Sequence, residues 1–282
     1  MKIAIDNSGQ TCNKFWSYLA PLDYSLRTGK KVYILFPDAE LSSYPNLRKN
    51  RYLKVVHIRW LSKFIPYRTQ EKILRRIFSN RFYNILPLLK STFKNSIWNI
   101  YDDRDILISN EAKKLTIELL SPCDKIKNNI RQRFAKEKKD ITIGVHIRRG
   151  DYATWRNGDY FYSQEQYHNI CENLKKEFPD KQIRFFLSSN EKIDKTIFHS
   201  DEYFSLSQSA PPEDLYALSL CDYIIGPPST FSRWAAFYGD KPIRFIMPNE
   251  SLTKAFRRLV SLERYDTGEP VSINRNGEPL FP

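Results

Sequence analysis

The densest concentration of reactive side chains in this 282-residue chain is His146-Ile147-Arg148-Arg149-Gly150-Asp151-Tyr152. Two adjacent guanidiniums suit a diphosphate, because each presents a planar fork of N–H donors that matches the geometry of phosphate oxygens. The string continues an apolar run, Ile141-Thr142-Ile143-Gly144-Val145, that reads as a buried strand. In an open α/β sheet, ligands bind just beyond the carboxyl ends of strands. A second reading keeps the arginines structural, ion-paired to Asp151. The other concentration is Ser229-Thr230-Phe231-Ser232, between the apolar Tyr223-Ile224-Ile225 and the helix-forming Arg233-Trp234-Ala235-Ala236. A hydroxyl-rich turn that opens a helix offers phosphate side-chain donors together with backbone N–H groups. Two such features at strand ends of one domain point to a nucleotide or diphosphate-sugar site.

The elements that must position these residues follow a repeating order. Lys2-Ile3-Ala4-Ile5 reads as a strand, Asn7-Ser8-Gly9-Gln10 as a turn, the stretch through Trp16, Leu19 and Leu26 as a helix, and Lys31–Phe36 as a second strand. Strand, helix and strand in so short a span form a βαβ unit, whose crossover imposes a parallel sheet. The pattern returns at Ile141–Ile147. It continues through a helix from Ser163 to Phe178 with a Ser163/Gln166 capping box, a strand at Ile183–Leu187, a helix at Glu213–Cys221 and a strand at Tyr223–Ile225. Two α/β domains with parallel sheets are expected, residues 1–138 and 139–282, parted at the charged stretch Ala135–Asp140.

Composition narrows the function classes. The chain is 41% hydrophobic and 14% aromatic with 9 Gly, which excludes disordered and low-complexity readings. No apolar run approaches the ~18 residues of a membrane span, and the start MKIAIDNSGQ lacks a signal-peptide pattern, so a cytoplasmic protein is expected. Cys12, Cys123, Cys171 and Cys221 lack zinc or redox spacing and read as small core hydrophobes. The net charge of +13 is uneven: residues 1–139 hold 28 basic and 12 acidic side chains, whereas residues 140–282 hold 17 and 20. From Arg48 to Lys94 there are 13 basic residues and one acid, Glu71. From Thr69 onward, Leu74, Ile77, Phe78, Phe82 and Ile85 recur at helical spacing opposite Lys72, Arg75 and Arg76, which predicts a basic amphipathic helix. Its cationic face is either a solvated surface or a contact for anionic lipid or a phosphorylated acceptor. No nucleic-acid-binding fingerprint accompanies the charge.

The string His146-x-Arg148-Arg149-x-Asp151 and the later Ser229-Thr230-Phe231 turn resemble the motifs of the superfamily that joins α-1,2-, α-1,6- and protein O-fucosyltransferases. The nearest resemblance is to bacterial α-1,2-fucosyltransferases, glycosyltransferase family 11-like, because Gly9-Gln10-Thr11-Cys12-Asn13-Lys14-Phe15 is similar to their G-x-x-G-N-Q-x-F loop. Asn13 is kept, whereas Cys12 stands for the second Gly and Lys14 for the Gln. The resemblance implies a GT-B fold of two Rossmann-type domains, with an amino-terminal acceptor side and a carboxy-terminal donor domain. It implies GDP-fucose as donor, inversion at the anomeric carbon, no metal and no cofactor. By the same resemblance His146 and Asp214 contact guanine or ribose and Arg148 binds the β-phosphate as the catalytic stabiliser of the leaving group. Ser229 and Thr230 complete the phosphate pocket, and Asn13, Arg149, Asp151 and Phe231 join the donor site. The expected acceptor is an oligosaccharide or lipid-linked glycan, with the basic half at the inner membrane face and no nucleic acid. Asp103-Arg104-Asp105 spells the DxD metal signature of another glycosyltransferase fold, but lies outside a recognisable strand-end context. For a general base the sequence offers Asp6, Asp23, Asp151 and Asp159 without distinguishing among them, while His57, His168 and His199 read as structural or surface residues. Trp155 and Tyr160-Phe161-Tyr162 form either aromatic walls for a sugar or an ordinary packed loop. Two other functions compete: a transferase of another nucleotide sugar, and a non-catalytic binder of anionic polymer driven by the basic half.

Overall fold

The structure, a computed structural model, describes residues 2–5, 10–35, 40–56, 64–65, 69, 97–99, 108–137, 139–248, 251–253 and 255–259. Most of the cationic stretch from Arg48 to Lys94, including the amphipathic helix expected beyond Thr69, lies outside these residues, as do Asp6, Gly9, His57, Asp103 and Asp105. Contacts divide the chain into two units that part between Cys123 and Asp124.

In the first unit four strands lie in one parallel sheet: β1 (Lys2–Ile5), β2 (Val32–Leu35), β3 (Leu53–Val56) and β4 (Ile97–Asn99), in the order β3-β2-β1-β4. Between β1 and β2 runs α1 (Thr11–Thr28), which buries Phe15, Trp16, Tyr18, Leu19 and Leu22. Each such side chain contributes roughly 1.5–3 kcal/mol of transfer free energy. Asp23 ties α1 to α2 (Asn110–Leu119): its carboxylate accepts the Arg27 Nε–H at 2.8 Å and the N–H and hydroxyl of Ser109 at 3.3 and 3.2 Å. Ser109 in turn caps α2 by accepting the Ala112 N–H. Asp23, a base candidate from sequence, therefore serves as a buried joint between helices.

The second unit begins with α3 (Asp124–Lys136), ahead of the charged stretch at which the sequence suggested a division after residue 138. Several contacts group α3 here: Ile130 is wholly buried, the Arg131 guanidinium lies 5.9 Å from the Tyr216 ring, and the Phe134 ring meets those of Phe186 and Phe204 edge-on at 5.2 and 5.4 Å. The elements that follow are β5 (Ile141–Ile147), α4 (Gln164–Lys175), β6 (Ile183–Ser189), β7 (Tyr203–Phe204), α5 (Pro211–Leu220), β8 (Tyr223–Gly226), α6 (Thr230–Gly239), β9 (Ile243–Met247) and β10 (Ser251–Leu252). They build a sheet of order β10-β9-β8-β5-β6-β7, parallel except for β10. Ile143, Val145 and Ile147 on one face of β5 and Thr142, Gly144 and His146 on the other are all buried, as befits a central parallel strand covered on both faces. The chain leaves β5 toward β6 and β7 on one side, then returns to lay β8 and β9 on the other. Strand order thus reverses between β5 and β8, and in such sheets the ligand crevice opens at the carboxyl ends of the strands that flank the reversal.

Cys12, Cys171 and Cys221 are buried free thiols, and burial pushes the Cys171 and Cys221 thiols up. Among the described residues no helix is long and apolar enough to cross a membrane.

Candidate functional site

Both sequence motifs lie at that reversal. β5 ends in His146-Ile147 and runs into Arg148–Asp151, while β8 ends at Gly226 and runs through Pro227-Pro228 to Ser229. The two strands pack so closely that a Cβ on Gly226 would lie 2.9 Å from both the Cβ and the carbonyl oxygen of His146, so only glycine fits there. Tyr152 then joins the two turns: its hydroxyl donates to the Pro228 carbonyl at 2.6 Å.

His146 is buried, with its ring 5.1 Å from that of Phe231. Burial, reinforced by the charge of Arg148, lowers its pKa to about 3, so the imidazole is neutral at pH 7 and serves as a hydrogen-bonding group. Its Nδ1 is buried with no hydrogen-bond partner among the described residues. Arg148 holds Asp151 through Nη2, at 2.8 Å from Oδ1 and 3.0 Å from Oδ2, with its guanidinium 5.7 Å from the Tyr152 ring centre. Asp151 is thereby committed to orienting Arg148. Arg149 turns aside, its guanidinium 4.8 Å from the Phe161 ring and its Nε 3.3 Å from Glu191 Oε2.

Ser229 caps α6: its Oγ accepts the Phe231 N–H at 3.2 Å and its carbonyl accepts the Arg233 N–H. The positive end of α6 therefore opens at the turn that Tyr152 ties to the arginine loop. Asp214 stands in the first turn of α5, where Ser188 Oγ donates to it at 3.5 Å. Ser188 is the register partner of His146 in the β5–β6 pair, so Asp214 and His146 approach the same strand end. Burial raises the Asp214 pKa to about 6 against the opposing hydrogen bonds from Ser209 and Ser188.

Eight of the nine residues expected at the donor site thus belong to the second unit, around the ends of β5, β6 and β8. Asn13 belongs to the first, half-buried on α1, where its N–H reaches the Gln10 carbonyl at 3.0 Å. His168 packs against Phe198 and Tyr203 and lies 3.8 Å from Glu172, and His199 is exposed. The aromatic loop is packed: Trp155 rests between Tyr152 and Tyr160 at 4.7 and 5.3 Å, with Phe161 turned outward. Sequence reading missed Tyr167, Asn190 and Glu191, whose side chains hold the arginine loop. The available signal was the polar Ser189-Asn190-Glu191 run after an apolar strand. Among the described residues no cluster of His, Cys, Asp and Glu could hold a metal ion.

Comparison with known proteins bears on the fold and the family. No curated protein sequence matches the chain. Among solved structures, NodZ alpha-1,6-fucosyltransferase from Bradyrhizobium, soaked with GDP-fucose, superposes with a TM-score of 0.55 at 18% identity over 91% of this chain and 99% of its own. POFUT1 in complex with GDP-fucose gives 0.54 at 12% identity, covering 86% and 96% of the two chains. An Arabidopsis thaliana FUT1 mutant in complex with GDP gives 0.57 at 12%, covering 93% and 74%. The likeness at these identities is one of fold, and it bears out the expected GT-B-like class of two Rossmann-type units with parallel sheets. Residues 67–258, more than half of the chain, match glycosyl transferase family 11. The chain belongs to that family and is a glycosyltransferase.

Proposed function

We propose that the protein transfers L-fucose from GDP-fucose, with inversion and without a metal, to a sugar hydroxyl of a surface glycan, forming an α-1,2 linkage to galactose. The observation that carries the donor reading is the Tyr152–Pro228 hydrogen bond, which fastens the Arg148 loop to the amino end of α6 and so joins two phosphate-seeking features. Arg148 takes the β-phosphate, the Ser229-Thr230 turn completes the pocket, and His146 and Asp214 face the nucleoside. As the glycosidic bond stretches, negative charge gathers on the departing GDP, and a preformed guanidinium stabilises it there. A site neutralised in this way has no need of a bridging cation. GDP-fucose and GDP in the structurally similar fucosyltransferases support the choice of nucleotide.

Calorimetric titration in excess EDTA is expected to give micromolar GDP affinity, with UDP binding at least about tenfold more weakly, as one buried hydrogen-bonding mismatch requires. GDP binding that appears only with added Mn²⁺ or Mg²⁺ would overturn the metal-free site, and preference for UDP would move the reading to another nucleotide sugar.

The acceptor side rests on charge. The 13 basic residues against one acid from Arg48 to Lys94 suit a lipid-linked glycan at an anionic membrane face, at ~1 kcal/mol per basic residue near that surface. Changing Arg75, Arg76 and Arg81 together to Gln is expected to weaken co-sedimentation with anionic vesicles at low salt while GDP affinity stays unchanged. A triple variant that sediments like wild type leaves that stretch with no membrane role.

A further inference from the structure

β5 and β6 are parallel and in register as far as Ile147↔Ser189, so the residues after them, Arg148 to Gly150 and Asn190-Glu191, run side by side. Each of three successive backbone amides on the first loop is taken by a side chain. The Arg148 N–H donates to the Tyr167 hydroxyl at 3.3 Å, the Arg149 N–H to Asn190 Oδ1 at 3.2 Å, and the Gly150 N–H to Glu191 Oε1 at 3.1 Å. Gly150 holds φ +25°, and a Cβ there would stand 2.4 Å from Asn190 Nδ2. The loop therefore takes a shape that its own backbone does not favour, and these neighbours fix it.

The holders are themselves held. The Glu191 N–H donates to Ser189 Oγ at 3.1 Å. The buried Gln164 grips the next stretch, donating to the Lys192 carbonyl at 3.0 Å and accepting the Asp194 N–H at 2.8 Å. Gln164 and Tyr167 both lie in the first turn of α4, which the Ser163/Gln166 capping box secures. One helix start thus fixes both loops. The second oxygen of Glu191 meets Arg149 while Phe161 receives that guanidinium, so Arg149 belongs to the frame.

We infer that Asn190 and Glu191, with Tyr167, are positioning residues of the donor site, which brace the Arg148–Gly150 backbone so that the Arg148 guanidinium is held where leaving-group charge develops. The inference rests on the donor-site reading above. The loop amides, being occupied, cannot cradle phosphate, so recognition falls on a guanidinium whose aim depends on its backbone. A preformed donor stabilises a transition state only when it needs no reorganisation.

The test compares GDP affinity, rate of GDP-fucose hydrolysis and Tm for wild type, Glu191→Ala, Glu191→Gln, Asn190→Ala, Arg148→Lys and the double variant Glu191→Ala/Arg148→Lys. Glu191→Ala is expected to lower kcat about tenfold with KM changed about threefold or less, the pattern of an interaction realised in the transition state. Glu191→Gln keeps an oxygen for the Gly150 N–H and should restore most of that loss. Asn190→Ala, at an exposed position, should lower kcat about threefold at an unchanged Tm and carries the test if Glu191→Ala folds poorly. Because the brace acts through Arg148, the double variant should be no slower than Arg148→Lys alone by more than about twofold. Wild-type kcat in Glu191→Ala or Asn190→Ala, or a double variant that loses the product of the two single effects, overturns the inference while wild-type GDP binding leaves the donor reading intact. A wild-type protein that binds no GDP overturns both.

Discussion

Arg148→Lys is expected to lower kcat by about 10²-fold or more, equivalent to about 2.7 kcal/mol of transition-state stabilisation. The charge is retained, so the loss measures geometry. A guanidinium can hold Asp151 through one nitrogen, as Nη2 does here at 2.8 Å, and present its remaining face to phosphate oxygens. An ammonium is a single point on a flexible stem and must choose between the two. Arg149→Lys serves as the control: its guanidinium is drawn onto Phe161 and Glu191, and the expected change is about fivefold or less. Steady-state hydrolysis of GDP-fucose by the two variants decides the matter, and near-wild-type turnover in Arg148→Lys would remove Arg148 from the leaving-group role.

The second unit was legible because its strands and helices carry their own local signals. The apolar run Ile141–Ile147 reads as a buried strand, the Ser163/Gln166 capping box marks the start of α4, and the hydroxyls of Ser229 and Thr230 sit where a helix does open. The reversal of strand order between β5 and β8 was not legible, since pairing order depends on contacts far apart in sequence. α3 was missed for a similar reason. Its sequence is mostly polar, and its membership in the second unit comes from contacts such as Phe134 meeting Phe186 and Phe204, which leave no local trace. The brace escaped notice because Asn190 and Glu191 act through hydrogen bonds to another strand's loop, and an Asn-Glu pair after a strand also reads as an ordinary solvated turn. Asp23 and Asp151 illustrate the limit for carboxylates: type and position nominated them as bases, whereas their partners, Ser109 and Arg27 for one and Arg148 for the other, give them holding roles.

Asp214→Asn is expected to strengthen the fold and weaken the site at once. Burial lifts the Asp214 carboxyl from 3.8 to about 6, which means that the folded protein ionises it at a cost. Well below pH 3.8 the group is protonated in both states and imposes nothing. As pH rises toward 6 the unfolded chain releases the proton first, stability is lost through that window, and above about 6 the full penalty stands, on the order of 2–3 kcal/mol. A neutral Asn that still accepts from Ser188 should recover part of it, about 1 kcal/mol at pH 8 and almost nothing at about pH 3, read as a higher Tm only at the upper pH. The function we propose explains why a carboxylate is kept at this cost: an ionised Asp214 accepts hydrogen bonds from the N–H donors of guanine, whereas the Asn amide presents donors of its own. GDP affinity should therefore fall about tenfold or more in the variant. In wild type it should weaken by up to about tenfold per pH unit below 6, a dependence absent from the variant, so that the difference between the two profiles isolates Asp214 from titration of the phosphates. Equal GDP affinity for both proteins from pH 5 to 8 would remove Asp214 from the nucleotide site, whatever the change in Tm.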